Sequence, residues 1–218
     1  MIKVILNGCS GKMGLLIEKL IDSEEDISLV SLHDEKNPLE NAPQGDLVID
    51  FSSKPGFMKS LEYAYKQQLH FLSGTTAIGK DGYEKLKEYS QTIAIFYSPN
   101  MSLGINFLAK ILQENLNFLL KWDLGILETH HRAKKDAPSG TAMMLADIFP
   151  NPVPVNSFRM GDIPGDHKVV AARNGELIEF KHRATSREVF ARGALEITRW
   201  FINCPRGFYT MRDYFKIN

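Results

Sequence analysis

The sequence predicts an α/β protein that combines a doubly wound parallel sheet with a second, smaller α+β domain. Short β-rich segments alternate with helical segments in the first half, which is the rhythm of a parallel sheet with crossover helices. A glycine-rich turn follows the first of these strands. The β-segments of the second half lack regularly intervening helices, so we expect an open mixed sheet there.

Composition limits the classes of function. The chain has 218 residues, enough for one large domain or two small ones, and its 26 Lys and Arg balance 26 Asp and Glu. We therefore expect no nucleic-acid partner and no anionic membrane partner. Cys9 and Cys204 form neither a disulfide scaffold nor a metal-ligand pattern, and the first apolar run is too short for a signal peptide or a membrane span. A cytoplasmic protein with reduced thiols is predicted.

The first half of the chain supplies the predicted parallel sheet. Apolar residues recur at helical spacing over residues 13–21, and Pro55 stands where a first turn tolerates proline, before a helix over residues 56–67. The predicted strands cover residues 2–6, 27–32, 47–51, 70–73 and 93–97. Several strands end in small or polar residues, and ligands of open α/β sheets bind beyond such carboxyl ends.

The second half supplies the predicted mixed sheet. A helix over about residues 103–120 leads into a strand over residues 123–131, which carries two histidines at its end. A helix around residues 142–148 and a proline-rich connector follow. The remaining predicted elements are β-segments over 155–160, 168–172 and 177–184 and a final helix over 188–201.

The segment Gly8-Cys9-Ser10-Gly11-Lys12-Met13-Gly14 predicts a dinucleotide site. It follows a strand and opens an amphipathic helix, as does the turn that cradles a pyrophosphate. Asp34 lies at about the 20-residue distance expected for a carboxylate that bonds ribose hydroxyls. The loop Gly74-Thr75-Thr76 is expected to face the nicotinamide. Taken alone, the glycines are also compatible with an ordinary tight turn and Asp34 with a solvated turn residue.

Residues 128–142 concentrate two adjacent histidines, three basic side chains and a Pro-Ser-Gly-Thr turn. A cationic cluster beside a helix start suits a small polyanionic substrate, because free N–H groups and the helix dipole favour negative charge. His130 and His131 point to opposite sides of a regular strand, so both serve one site only if the strand ends there. Ser139 is a candidate N-cap of the following helix. The other histidines show no ligand spacing, and we predict no metal site.

The same segment resembles the signature of the 4-hydroxy-tetrahydrodipicolinate (dihydrodipicolinate) reductase family, E-x-H-H-x-x-K-x-D-A-P-S-G-T-A, at every fixed position. Other segments that resemble family motifs are residues 8–14, 48–52, 74–76, 98–106, 161–167, 190–194 and 207–211. The resemblance implies a Rossmann-type dinucleotide-binding domain of residues 1–101 and 188–218. Residues 102–187 would form the substrate-binding and oligomerisation domain.

The resemblance also implies an activity and its residues. The reaction is the NAD(P)H-dependent reduction of 4-hydroxy-tetrahydrodipicolinate, via dihydrodipicolinate, to tetrahydrodipicolinate in the diaminopimelate route of lysine biosynthesis. His130 would then donate or accept a proton, Lys134 would donate one, and His131, Gly140 and Thr141 would contact the dicarboxylate substrate. The implied cofactor contacts are Gly8, Cys9, Ser10, Gly11, Lys12, Met13, Asp34, Gly74, Thr75, Thr76, Ser98, Pro99, Asn100 and Met101. Family members are typically homotetramers.

The loop after the second predicted strand favours NADH by a modest margin over NADPH. Asp34 suits the ribose hydroxyls and Glu35 would repel a 2′-phosphate, whereas Lys36 would attract it. We expect both cofactors to be used. The chain is shorter than the family pattern over residues 34–46 and 148–159, and the second difference affects sheet surface used in subunit contacts.

Two other functions compete with this interpretation. One is another NAD(P)-dependent reductase or amino-acid dehydrogenase, in which a lysine polarises a carbonyl, and the His-His-x-x-Lys motif counts against it. The other is a non-catalytic dinucleotide sensor on the same fold. Retention of His130, Lys134, Gly140 and Thr141 together counts against a sensor.

Overall fold

The computed structural model describes residues 1–216, without the side chain of Asn41. The strands are β1 (Ile2–Asn7), β2 (Ile27–His33), β3 (Leu47–Asp50), β4 (His70–Ser73), β5 (Ala94–Tyr97), β6 (Asp123–His130), β7 (Val155–Arg159), β8 (Gly165–Arg173), β9 (Glu176–Ala184) and β10 (Gly207–Tyr209). The helices are α1 (Lys12–Ile21), α2 (Lys54–Gln67), α3 (Gly79–Tyr89), α4 (Leu103–Glu114), α5 (Leu116–Leu119), α6 (Gly140–Ala146), α7 (Glu188–Phe201) and α8 (Met211–Phe215). A short 3-10 helix covers Leu39–Asn41.

These elements form two compact units. The first unit is Met1–Ser102 with the described residues from Phe190 onward, and the second unit is Leu103–Val189. The first unit contains a six-stranded parallel sheet in the order β10-β5-β4-β3-β1-β2. The second contains a four-stranded mixed sheet in the order β7-β6-β8-β9. The predicted α/β class, with a Rossmann-type sheet and a smaller mixed sheet, is confirmed.

Both faces of the parallel sheet are buried, which explains its continuous apolar strands. One face packs against α2 through Phe57 and Leu61. The opposite face includes Phe96, whose ring lies 5.8 Å from that of Phe201 on α7. Along β1, β3 and β4 the register aligns Asn7, Asp50 and Ser73, so three polar side chains meet at the carboxyl edge of the sheet.

Helices α4 and α6 cover one face of the mixed sheet of the second unit. Ile126 and Val169 from the sheet join Leu108, Leu112 and Leu145 from α4 and α6 in one buried cluster. β6 pairs in parallel with β7 and antiparallel with β8. The central strand β6 is therefore held on both edges, and it delivers His130 at its carboxyl end.

Most predicted elements lie within three residues of the observed bounds, and the final helix over 188–201 matches α7 at both ends. The single helix predicted over residues 103–120 is wrong, because the structure has α4 and α5 with Asn115 between them. The Asn115 side chain donates a hydrogen bond to the Ile111 carbonyl oxygen at 2.8 Å. Such side-chain bonds to the backbone compete with the regular hydrogen bonds of a helix.

The sequence patterns do not indicate α3, β10 or α8. α3 buries only Gly82 and Leu86, so its apolar stripe is too narrow to reveal a helix by periodicity. β10 has three residues and pairs only with β5 among the described strands.

Among the described helices, none combines the length and apolar character that a membrane crossing requires.

Candidate active site

The glycine turn after β1 brings backbone close to backbone. Gly8 has a φ of +87°, and a Cβ placed there would lie 2.4 Å from the Phe51 carbonyl oxygen. A Cβ on Gly14 would lie 2.2 Å from the Gly8 oxygen. Within the described residues, no side chain caps α1 at Gly11, so its first N–H groups suit an anionic ligand.

A cleft of about 910 Å³ opens beside this turn. Of the predicted cofactor residues, Gly8, Ser10, Gly11 and Asp34 line it. The other predicted cofactor residues do not line this cleft: Cys9, Lys12, Met13, Gly74, Thr75, Thr76, Ser98, Pro99, Asn100 and Met101. The structure thus brings the turn and the predicted ribose carboxylate together at one cleft.

The loop after β2 is held by its own polar groups. Asp34 Oδ1 accepts hydrogen bonds from the backbone N–H of Lys36 at 2.8 Å and of Asn37 at 3.1 Å. The first of these bonds is the main cause that lowers the pKa of Asp34. The buried His33 ring lies 3.0 Å from the Asn37 carbonyl oxygen and 2.9 Å from Ser31 Oγ. Asp34 is therefore an ionised carboxylate on an ordered loop.

Asp50 joins the strand ends of the parallel sheet. Its Oδ1 accepts from Asn7 Nδ2 at 2.8 Å and Ser52 Oγ at 2.6 Å, and its Oδ2 accepts from Ser73 Oγ at 2.8 Å and Thr75 Oγ1 at 2.6 Å. The carboxyl group is fully buried. Burial raises the pKa of Asp50, and the four hydrogen bonds oppose that rise.

The loop over residues 74–76 depends on this arrangement. Thr75 Oγ1 also accepts from the Ser52 N–H at 2.9 Å, and the Tyr97 hydroxyl donates to the Thr75 carbonyl oxygen at 3.0 Å. A Cβ on Gly74 would lie 2.2 Å from the Phe51 ring. The next predicted loop is tied to this edge as well, because the Ser98 N–H donates to the Ser73 carbonyl oxygen at 3.1 Å.

In the second unit, Glu128 and His130 alternate with half-buried positions on β6 and share its buried face, with 0% and 6% exposure. Glu128 Oε2 lies 2.5 Å from His130 Nδ1. Arg159 donates to both Glu128 oxygens, from Nη1 at 2.9 Å and from Nη2 at 2.7 Å. The backbone N–H of Ser139 donates to Oε1 at 3.1 Å.

These contacts set the charge of the pair. Burial works to raise the pKa of Glu128, but the hydrogen bonds from Arg159 and its other partners lower that pKa to about 2. Burial lowers the pKa of His130, Glu128 opposes this shift, and the charge of Lys134 adds to it. Glu128 is therefore an anion beside a histidine that is neutral at neutral pH.

β6 ends at His130, and His131 and Lys134 lie in the turn that follows. The His131 N–H donates to the Ile163 carbonyl oxygen at 2.8 Å, and His131 Nε2 lies 3.2 Å from Arg187 Nη2. Lys134 Nζ lies 2.9 Å from Asp136 Oδ1. Burial works to raise the pKa of Asp136, and the hydrogen bond from Lys134 lowers it. The half-buried Lys134 ammonium is thus held in one place.

The same segment continues into α6. Ser139 caps this helix, with its Oγ accepting from the Ala142 N–H at 3.2 Å, as the sequence predicts. Ser139 Oγ also lies 3.2 Å from Nε2 of the buried His167. A Cβ on the exposed Gly140 would face open space among the described residues, and Thr141 next to it is half-buried. A ligand has access to this helix start.

The predicted substrate-side residues therefore lie on one segment, and the structure adds partners that the sequence analysis missed. Glu128 lies two positions before His130 on a strand, so the period of two gives a signal that it shares a face with His130. Arg159 is the register partner of His130 on β7, for which the sequence offers no signal. The described residues contain no group of three or more His, Cys, Asp or Glu side chains suited to a metal ion.

Comparison with protein-family models gives two matches. The model described as "Dihydrodipicolinate reductase, N-terminus" matches residues 2–101, and that described as "Dihydrodipicolinate reductase, C-terminus" matches residues 104–215. A 4-hydroxy-tetrahydrodipicolinate reductase of Thermosipho africanus is 38% identical over 209 residues, covering 96% of this chain and 95% of the relative. One from Clostridium novyi is 36% identical over 249 residues, covering 99% of each.

Solved structures share the fold. A dipicolinate-bound dihydrodipicolinate reductase from Paenisporosarcina sp. TG-14 has a TM-score of 0.76 at 19% identity, over 98% of this chain and 99% of that chain. A DAP dehydrogenase from C. glutamicum, in complex with DAP, has a TM-score of 0.58 at 12% identity, over 96% and 92%. At these identities the likeness concerns the fold.

Proposed function

Since the chain belongs to the dihydrodipicolinate reductase family, we propose that it reduces 4-hydroxy-tetrahydrodipicolinate, via dihydrodipicolinate, to tetrahydrodipicolinate in the diaminopimelate route of lysine biosynthesis. The observation that carries this proposal is the segment over residues 128–142. It combines a buried acid-base side chain, a fixed ammonium and an accessible helix start. These are the groups that reduction of a ring dicarboxylate requires.

The first unit fits a dinucleotide. Gly8 and Gly14 let the turn pack tightly against neighbouring backbone, and the adjoining cleft is bordered by Asp34. When bound, NADH or NADPH supplies the hydride. The residues that would hold the pyrophosphate are Gly8, Cys9, Ser10, Gly11, Lys12 and Met13. The residues that would hold the nicotinamide half are Gly74, Thr75, Thr76, Ser98, Pro99, Asn100 and Met101.

The choice of cofactor depends on three neighbouring side chains that line the cleft, Asp34, Glu35 and Lys36. Asp34 would accept hydrogen bonds from the ribose hydroxyls, and both carboxylates would repel a 2′-phosphate. Lys36 would attract that phosphate, but an exposed ion pair contributes at most about 1 kcal/mol. Both cofactors are used, with NADH modestly favoured.

The second unit provides the proton chemistry. Hydride addition to the conjugated C=C–C=N system moves negative charge to the ring nitrogen, and an acid at that position lowers the cost of the charge. Lys134, held by Asp136, donates a proton there, and His130, held by Glu128, donates or accepts one. His131, Gly140 and Thr141 bind the substrate carboxylates. The first unit thus serves the cofactor and the second unit the substrate.

The chain forms a homotetramer through the mixed sheet, which is supported by exposed apolar residues on two of its strands, Phe158 at 47% and Leu177 at 61% exposure. Its location is the cytoplasm, because Cys9 and Cys204 are both free thiols. A small dicarboxylate is its partner, not a nucleic acid or a membrane.

The direct test is oxidation of NADH and NADPH in the presence of freshly made 4-hydroxy-tetrahydrodipicolinate, the product of the synthase that precedes this step. The reaction is monitored at the nicotinamide absorbance. We expect oxidation that depends on both enzyme and synthase product. Cofactor binding without turnover by the folded protein would instead support a non-catalytic sensor. Oxidation that requires an amino acid or a simple carbonyl compound would support a different dehydrogenase.

A further inference from the structure

We infer that Glu128 is a positioning residue, which fixes the imidazole nitrogen of His130 that exchanges a proton during reduction. The inference rests on the proposed function, in which His130 donates or accepts that proton. It goes further because it names the group that determines the protonation pattern of His130. Glu128 is fully buried, so it acts through His130 and not on the substrate.

The contacts of Glu128 leave it one orientation. Arg159 binds both of its oxygens in the forked geometry that guanidinium and carboxylate groups share, and the Ser139 N–H binds Oε1. Glu128 Oε2 also lies within hydrogen-bond distance of His130 Nδ1. Arg159 on β7 and Ser139 at the start of α6 thus hold the Glu128 carboxylate against the His130 ring.

This arrangement selects a tautomer. An ionised carboxylate only accepts hydrogen bonds, so Nδ1 of His130 must carry its proton. In the neutral ring Nε2 is then without a proton, and in the imidazolium ion Nε2 carries the proton that leaves. A Cβ at Gly165 would lie 3.2 Å from Nε2. A glycine at this position keeps the Nε2 edge uncrowded.

The carboxylate also determines how readily His130 is protonated. The charged and titratable groups that face His130 are Glu128 on β6, Arg159 on β7, His167 on β8 and Lys134 in the turn after β6. Only Glu128 among these four favours the imidazolium ion, and it opposes burial, Lys134 and Arg159. Loss of its charge would therefore lower the pKa of His130.

A double-mutant cycle tests the inference, with Glu128→Gln, His130→Gln and the double variant assayed across pH. We expect Glu128→Gln to lower kcat about tenfold or more, the factor that one pKa unit represents, and to move the His130 limb of the pH profile to lower pH. Cofactor Kd should not change. The double variant should be no slower than His130→Gln alone.

A matched control is Glu114→Gln on α4, which removes an exposed carboxylate of the second unit that pairs with Lys110. It should retain wild-type kcat. Suppose that His130→Gln is slow, and that adding Glu128→Gln lowers kcat further by the same factor as it does in the wild-type protein. Glu128 is then merely structural, and the inference is wrong. If His130→Gln turns over at the wild-type rate, the proposed role of His130 fails, and the inference fails with it.

A second measurement needs no change at Glu128. Nitrogen-15 NMR of the wild-type protein distinguishes protonated from unprotonated ring nitrogens, and the His130 signals are assigned by their loss in His130→Gln. We expect neutral His130 to show a protonated Nδ1 and an unprotonated Nε2. The opposite tautomer would overturn the inference even if Glu128→Gln does not fold.

Discussion

Lys134 is the residue whose replacement gives the sharpest test of the proposed chemistry. Its ammonium is half-buried and held by Asp136, so it is an ordered acid and not a solvated charge. A positioned acid contributes about 100- to 10,000-fold to rate, and we expect Lys134→Ala to lower kcat within that range. The Kd of the cofactor, bound by the first unit in our proposal, should be nearly unchanged.

The adjacent Lys135 provides the control for this prediction, because it is exposed and removing it changes the net charge by the same amount. Lys135→Ala should keep most of the wild-type kcat. Steady-state kinetics of both variants, with folding checked by circular dichroism, decides between the roles. Wild-type turnover by Lys134→Ala would end the assignment.

Cofactor choice is a second question at the scale of single residues. Comparison of kcat/KM for NADH and NADPH should show a modest preference for NADH. Lys36→Ala should weaken use of NADPH by a few-fold, as expected for one exposed contact of about 1 kcal/mol, and leave NADH almost unaffected. A tenfold or larger preference of the wild-type protein for NADPH would contradict this interpretation of the loop.

Single residues also show how far sequence reasoning extends. The motif over residues 128–142 predicts the substrate-side segment, and strand periodicity is sufficient to place Glu128 beside His130. Arg159 is different, because it reaches Glu128 only through the pairing of β6 with β7, across 31 positions of the chain. Register between distant strands is set by tertiary packing, so no local pattern reveals it.

At the scale of elements, Asp50 determines how three strand ends meet. Each carboxylate oxygen of Asp50 accepts hydrogen bonds from two donors. In Asp50→Asn an NH₂ group replaces one of these oxygens, so in either amide orientation it would face two donors. Leaving such buried groups unsatisfied costs about 1–3 kcal/mol. We expect a lower melting temperature and a raised KM for the cofactor, because the loops around Gly8 and Gly74 lose their common support.

Asp81→Asn is the matched control for Asp50→Asn. It makes the same chemical change at an exposed carboxylate of the first unit that pairs with Lys54. Its melting temperature and cofactor KM should stay close to the wild-type values. Equal behaviour of the two variants in calorimetry and kinetics would show that Asp50 does not support the cofactor loops.

Element boundaries were predictable where one face of a segment is broad and apolar. α7 buries seven residues, and its bounds follow from the sequence. α3 buries two residues and is not indicated, and the break at Asn115 depends on a side chain that bonds the backbone of the preceding turn. Periodicity records burial, so it misses elements that bury little and breaks that arise from local hydrogen bonds.

The free energy of unfolding of the whole molecule should fall in the acid pH range, and two buried groups of the second unit contribute to this fall. Burial, with a smaller contribution from His130, lowers the pKa of His167 from 6.5 to about 4. Burial works to raise the pKa of Glu128, yet its hydrogen bonds lower it from 4.5 to about 2. Both groups bind protons more readily when unfolded, so stability is present at neutral pH and is lost as pH falls.

The losses from His167 and Glu128 should fall in different pH windows. The contribution of His167 should decline between about pH 6.5 and 4, and that of Glu128 between about pH 4.5 and 2. Calorimetric melting temperatures should fall through both windows in the wild-type protein. His167→Gln should reduce the slope in the first window, to which the lowered pKa of His130 also contributes, and should leave the second window unchanged. An unchanged slope in the first window would contradict the assignment.

The division into two sheets was predictable from the whole sequence, because a parallel sheet requires regular crossover helices and the second half lacks them. The association of several copies is a further step that the sequence indicates only by resemblance. An open mixed sheet with helices on one face leaves its other face to solvent or to a partner. Leu177 on β9, at 61% exposure, is therefore an apolar side chain that assembly would cover.

We expect the protein to migrate as a tetramer of about 98 kDa, which is four chains of 24.6 kDa, in size-exclusion chromatography with light scattering. Leu177→Glu should give smaller species, because tetramer formation through the mixed sheet would bury an unpaired carboxylate at great cost. Leu15→Glu on α1 is the control, since Leu15 is similarly exposed, at 57%, but belongs to the first unit. A monomeric wild-type protein, or equal dissociation by both variants, would refute assembly through this sheet.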